Sequence, residues 1–154
     1  MRKQVFGAAA IAAVLVAVSS AGAFGQAVMK EKPLYDRLGG KKAITAVVDE
    51  FVGRVAADAR INRFFAATAG DPQRLKTFKG KLVDQICEAS GAPWKYSGKD
   101  MKSAHMGMGV SAADFDALVE DLVGALDHFK VGPHEKDQLL GALAPMKADI
   151  VEKK

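Results

Sequence analysis

The chain has 154 residues, 49% of them apolar and 26% charged, with a formal net charge of +4. These values fit one globular domain and exclude a disordered or fibrous chain. A single cysteine, Cys87, excludes an internal disulfide, and with no CxxC pair and no CxxCH run covalent haem attachment is not expected.

The first 27 residues read as an export signal. Arg2 and Lys3 precede an aliphatic run from Phe6 to Val18, and small residues follow at Ala21-Gly22-Ala23 and Gly25-Gln26-Ala27. The run is shorter than the ~20 residues a spanning helix needs, so a cleaved segment is expected rather than an anchor. The expected site of cleavage lies between Ala23 and Ala27, with a periplasmic location and no membrane association afterwards. Arg2 and Lys3 leave with it and no acid does, so the 22 basic residues fall to 20 against 18 acidic ones and the remaining charge is about +2. No lysine- or arginine-rich run interleaved with aromatics remains, which makes nucleic acid a poor partner.

Residues 28–154 read as one domain. Gly39-Gly40 marks a turn. Over 43–58, Ile44, Val47, Val48, Phe51, Val52 and Val55 recur at spacings of three and four and share a helical face. Asp71-Pro72 suits a helix start, because Asp caps free amides and Pro fits the first turn. Leu75, Phe78, Leu82, Val83, Ile86 and Cys87 form the stripe of that helix, and Gly91 and Pro93 stop it. The stretch APWKYSG reads as a loop, and a short helix follows with Met101 and His105 four apart on one face.

Ser111-Ala112-Ala113-Asp114 resembles a capping box with Asp in the place of Glu. The helix it opens carries Phe115, Leu118, Val119, Leu122, Val123, Leu126 and Phe129 and ends at Gly132-Pro133. The last helix carries Leu139, Leu140, Leu143, Met146, Ile150 and Val151, with Pro145 expected to kink or interrupt it. Nothing alternates with period two, so the fold class is all-α, with four main helices and short extras.

Taken alone, His105 is as consistent with a packed core histidine as with a ligand. Its company is more specific: LYDRLGG at 34–40, RFF at 63–65, YSGKDMKSAHMGMG at 96–109 and LAPMKADIV near the C-terminus. In this order and spacing the segments resemble the group I truncated haemoglobins, over nearly all of Leu34 to Val151. The resemblance implies a truncated globin-like two-over-two helical sandwich around a non-covalently held haem b. His105 matches the proximal histidine, and neutral imidazole is a common axial ligand of haem iron. Phe65 matches the phenylalanine on the haem face; Tyr96, Met101 and Phe115 match other pocket positions, and Met108 lines the pocket with Met101; Phe78, Leu82 and Ile86, whose spacing alone fits core residues equally well, match the distal wall.

The sequence departs from the family at Val52, where a tyrosine usually donates a hydrogen bond to bound oxygen. With Phe78 and Leu82 also apolar, the resemblance implies a distal pocket without an obvious donor. A hydrogen bond to a polarised group is worth about 1.5–3 kcal/mol, so faster oxygen release or oxidation is expected, with carbon monoxide less affected. Gly91-Ala92 replaces a glycine pair, a mild loop change. Lys79 reads as a solvated charge. Lys81 has two readings: a salt bridge to a haem propionate, or a sixth iron ligand, which needs a neutral amine and a pKa far below ~10.4. Trp94 and Cys87 read as core, and neither His128 nor His134 as a ligand.

The expected function is reversible binding of diatomic gases (oxygen, carbon monoxide, nitric oxide) at iron held by His105. An alternative is an enzyme on the same site, dioxygenating nitric oxide or reducing nitrite or peroxide with electrons from an external reductase. A third reading, a helical interaction module without haem, is disfavoured by His105 itself. A monomer or weak homodimer is expected.

Overall fold

A computed structural model of the protein describes residues 30–153, and the expected signal segment, residues 1–27, lies outside them. The described residues form helices α1 (Leu34–Arg37), α2 (Gly40–Ala57), α3 (Ala66–Ala69), α4 (Pro72–Ala89), α5 (Met101–His105), α6 (Ala112–His128), α7 (Pro133–Leu143) and α8 (Lys147–Ile150). Short 3-10 turns cover Asn62–Phe64 and Ala144–Met146. No strand occurs among the described residues; a single parallel bridge joins Ser111 and Lys153.

The long helices begin where the sequence supplies caps. The Asp71 carboxylate accepts the amides of Gln73 (2.9 Å) and Arg74 (3.1 Å), and Pro72 occupies the first turn of α4. The capping box of α6 is reciprocal: the Ser111 hydroxyl accepts the Asp114 amide at 3.1 Å, and Asp114 accepts the Ser111 amide at 2.9 Å. Arg63 adds an ion pair to Asp114 at 2.8 Å, which ties the first 3-10 turn to the start of α6. Pro145 does interrupt the last helix. It has no amide to continue the ladder, and the chain passes from α7 through a 3-10 turn into α8.

Helix α2 packs against both α4 and α6, α4 also against α7, and α6 against α8. The dry core lies where α2, α4 and α6 meet and includes Val48, Val55, Ile61, Cys87, Ala125, Leu126 and Leu139. The stripe of α2 sits as its spacing predicts, except that Val52 is only half buried. Gly40 opens α2 rather than belonging to a turn before it. Phe129 departs further. Periodicity extends the α6 stripe to it, yet it follows the last helical residue and is 44% exposed, its ring against that of His128.

The Ser111 amide and hydroxyl, with Arg63 beside them, hold the Asp114 carboxyl down to about 2. A depressed acid stabilises the fold above its ordinary pKa, and that contribution disappears as pH falls through the folded value. We expect Asp114→Asn to be less stable than the parent at neutral pH. Urea denaturation from pH 6 to pH 2 should show that gap closing between about pH 4 and pH 2. A constant gap across that range would mean the carboxylate charge contributes nothing there.

Candidate functional site

A cavity of about 670 Å³ lies beside the dry core. That volume is within the range of small-molecule and cofactor sites, about 300–1,000 Å³. Phe51 of α2 and Phe78, Lys81, Leu82, Gln85 and Ile86 of α4 line one side. Met101, Ala104 and His105 of α5 line it too, with Met108 and Val110 just beyond them. Helix α6 contributes Phe115, Leu118, Val119 and Leu122, and the C-terminal helices Leu140, Leu143, Met146 and Ile150. Ile61, Phe64, Phe65 and Thr68 close one end, and Tyr96 and Lys99 of the 90–100 loop reach the cavity as well.

Every residue the sequence singles out for the pocket therefore meets in this one cavity: Phe65, Phe78, Lys81, Leu82, Tyr96, Met101, His105, Met108 and Phe115. The Phe65 and Phe78 rings lie 5.7 Å apart at 56°, a tilted pair on one wall. Lys147 stands over the Phe115 ring, 5.4 Å from its centre, and pairs with Asp116 at 2.6 Å.

His105 is the only imidazole in the lining. Its Nδ1 lies 2.8 Å from the carbonyl oxygen of Met101. A carbonyl can only accept, so Nδ1 carries a proton, and in the neutral ring the lone pair is then on Nε2. Helix α5 is held in front by Asp100, whose carboxylate accepts the Ser103 amide at 2.9 Å. The Ser103 hydroxyl and then its amide hold the Asp100 carboxyl below the ordinary range. Behind the helix, Glu152 accepts the amides of Gly107 and Gly109, and they hold its carboxyl down in the same way.

Tyr96 is placed by two contacts. Its amide donates to the Glu88 carboxylate at 2.9 Å, fastening the loop to the end of α4. Its hydroxyl lies against the backbone of Gly98: a Cβ on Gly98 would sit 1.9 Å from that oxygen and 2.1 Å from Cζ.

The α4 wall differs in one respect from the expectation of a pocket without an obvious donor. It is not wholly apolar, because the Gln85 amide belongs to it. Gln85 Nε2 is engaged with two thioethers, Met101 Sδ at 3.0 Å and Met146 Sδ at 3.2 Å. Val52 does not line the large cavity. It borders a separate void of about 20 Å³ with Val55, Ala56, Ala69 and Leu75, behind Phe51, Phe65 and Phe78. Thr68 faces both spaces. Lys79 turns away to Asp49 at 2.9 Å, whereas Lys81 and Lys99 line the cavity and make no ion pair among the described residues. Sequence reasoning missed Thr68, Gln85 and Lys99. Gln85 follows Lys81 by four positions and Leu82 by three, so helical spacing alone could have found it.

Trp94 packs on the core, edge-on to Tyr35 at 5.4 Å with Lys41 over its ring, and its Nε1 is buried without a partner among the described residues. Cys87 is fully buried, which pushes its thiol pKa up. His128 and His134 are exposed and stand near Glu50 and Glu31.

The described fold and cavity are those of a small helical globin: residues 33–152 match the family model for bacterial-like globins. The group 1 truncated hemoglobin of Mycolicibacterium paratuberculosis is 35% identical over 117 residues, which cover 76% of this chain and 82% of that one. That of Tetrahymena pyriformis is 35% identical over 102 residues, 66% of this chain and 80% of that one. The solved Fe(III) form of truncated hemoglobin from the same Tetrahymena superposes with a TM-score of 0.71 at 28% identity, covering 79% of this chain and all of that one. The 2/2 hemoglobin from Synechococcus sp. PCC 7002, in the cyanomet state and with covalently attached heme, gives 0.72 at 30% identity, again over 79% and 100%. This chain belongs to the group 1 truncated haemoglobins.

A methyl group at Gly98 cannot be accommodated without moving the Tyr96 ring. Gly98→Ala is expected to destabilise the protein by roughly 1–3 kcal/mol through overpacking. In a Tyr96→Ala background the same substitution should cost much less. Urea denaturation of the four proteins of this cycle measures the coupling, and equal costs in both backgrounds would show that the ring does not constrain Gly98.

Proposed function

We propose that the chain holds haem b non-covalently through His105 and binds diatomic gases (oxygen, carbon monoxide, nitric oxide) reversibly. The observation that carries this reading is the single imidazole, with Nε2 free to donate, in the wall of a large and mainly apolar cavity. One neutral nitrogen among hydrocarbon side chains is a poor site for a bare ion. It suits a metal that brings its own equatorial ligands inside a flat apolar ring. Haem held by His105 would supply such an iron, able to bind and release a gas.

The residues divide the remaining work. Met101 fixes the tautomer of His105 and, through its carbonyl, the rotation of the ring. Phe65, Phe78, Leu82, Phe115 and Met108 offer the apolar surface against which a macrocycle packs and exclude water from the iron. Lys81 and Lys99 bring two positive charges to the cavity, matching the two propionates of haem b. The propionate role of Lys81 is the one we adopt, because it asks for no change in the charge of the amine, whereas ligation does. Non-covalent attachment follows from the lack of CxxCH. Because the Synechococcus protein carries covalently attached heme, the mode of attachment belongs in the same test.

Reduction of oxidised iron would fall to a separate electron donor. We also propose that residues 1–27 direct export to the periplasm, supported by their basic, apolar, small-residue order.

Purified protein titrated with haem should show a sharp Soret band that shifts on reduction and again under carbon monoxide. His105→Ala should weaken or alter it, and acid-acetone should extract all the haem. Lys81→Ala should leave the ferric spectrum unchanged while speeding haem loss. A free-haem spectrum in parent and His105→Ala alike would overturn the reading, and a changed ferric spectrum in Lys81→Ala would make Lys81 the sixth ligand.

A further inference from the structure

Helix α5 ends at His105, and the chain must then turn through Met106, Gly107, Met108 and Gly109 before α6. Gly107 and Gly109 adopt φ of 81° and 66°, where a side chain is strained. The turn brings their amides onto a single carboxylate. Gly107 N–H donates to Glu152 Oε1 at 2.6 Å, and Gly109 N–H to Oε2 at 2.5 Å. Alternating amides of this kind form an anion-binding concavity. Here the anion comes from the chain itself, more than forty residues further on.

The backbone repeats the attachment. The amides of Glu152 and Lys153 both donate to the Val110 carbonyl, at 2.9 and 3.1 Å, and the Ala112 amide donates to the Lys153 carbonyl at 3.3 Å. Val110 and Ile150 are buried beside this strap and line the cavity. Helix α5 itself packs on α8, the element from which the strap departs. The C-terminal residues thus grip the loop on the far side of His105 from Asp100.

We propose that Glu152 is a positioning residue for His105: by clamping the Gly107 and Gly109 amides, its carboxylate sets the angle at which the imidazole meets the haem iron. The proposal rests on the reading of His105 as the iron ligand. Groups that orient a metal-bound histidine without touching the metal typically change metal affinity between about 10- and 100-fold when removed. A carboxylate that merely tied down the C-terminus would affect melting and leave the iron–histidine bond alone.

The test uses the full chain, with Glu152→Gln and Glu152→Ala compared with the parent. Three quantities are read: the iron–histidine stretching band of the reduced protein, haem loss to an excess of apomyoglobin, and amide exchange at Gly107 and Gly109 in the haem-free protein. Glu152→Ala is expected to shift or broaden the stretching band, raise haem loss at least about tenfold and speed exchange at both glycines. Glu152→Gln keeps one accepting oxygen and should fall between Glu152→Ala and the parent. If Glu152→Ala does not fold, Glu152→Gln decides. Parent-like stretching and haem loss in a folded variant overturn the proposal, even where melting has fallen. Absence of an iron–histidine band in both the parent and Lys81→Ala overturns the reading of His105 and the positioning role with it, whereas failure of the role alone leaves that band intact in every variant.

Discussion

The structure depends on holding a helix of five residues in place. An isolated helix of that length has no stability of its own, since nucleation alone costs more than its few hydrogen bonds return. Helix α5 nevertheless carries the only imidazole of the cavity. What it lacks internally it receives from three neighbours: the Asp100 carboxylate at its first turn, the Glu152 carboxylate on the loop that leaves it, and α8 along its side. The position of His105 is therefore a tertiary property. The two carboxylates work alike, each accepting amides that would otherwise be left to water.

A second constraint follows from size. The described domain surrounds a cavity of about 670 Å³. The fold accommodates this by separating two regions. The packed core of α2, α4 and α6 includes side chains with almost no exposure, among them Val48, Cys87, Ala125 and Leu126. The cavity walls are built from larger and more adaptable residues, with three methionines, Met101, Met108 and Met146, among them. A flat apolar cofactor would complete the packing of these walls, so cofactor binding and domain stability are one equilibrium.

Helix periods and caps made most of the fold legible in the sequence. Asp71-Pro72, Ser111 with Asp114, and Pro145 act locally, and each does in the structure what its chemistry demands. Phe129 shows where periodicity stops: spacing places it on the stripe, but the helix ends first and leaves the ring half in solvent. His105 was legible as a ligand candidate through the resemblance carried by YSGKDMKSAHMGMG and its companions, and not from its own surroundings. Glu152 was invisible because its partners, Gly107 and Gly109, lie 45 and 43 residues away and offer only backbone amides, which no side-chain pattern announces. Lys99 and Thr68 escaped for a related reason, since loop and short-helix residues obey no period that would place them on the cavity.

The polar groups of the cavity bear on what it can discriminate. Met101 is central to two of them: its carbonyl accepts from His105 Nδ1 and its sulfur meets the Gln85 amide. Gln85 is shared with Met146, so one donor already faces two soft acceptors. Sulfur is a weak acceptor, and a stronger one placed within reach would compete for that amide. Val52, where the family usually has its tyrosine hydroxyl, faces the small void behind Phe51 and Phe78 and brings no donor. A bound gas would then meet mainly the hydrocarbon of Phe51, Phe78 and Leu82, and selection among gases would rest on size, on the iron–histidine bond and on whether Gln85 leaves its sulfur partners. Two of these three levers run through α5, the helix that cannot stand alone.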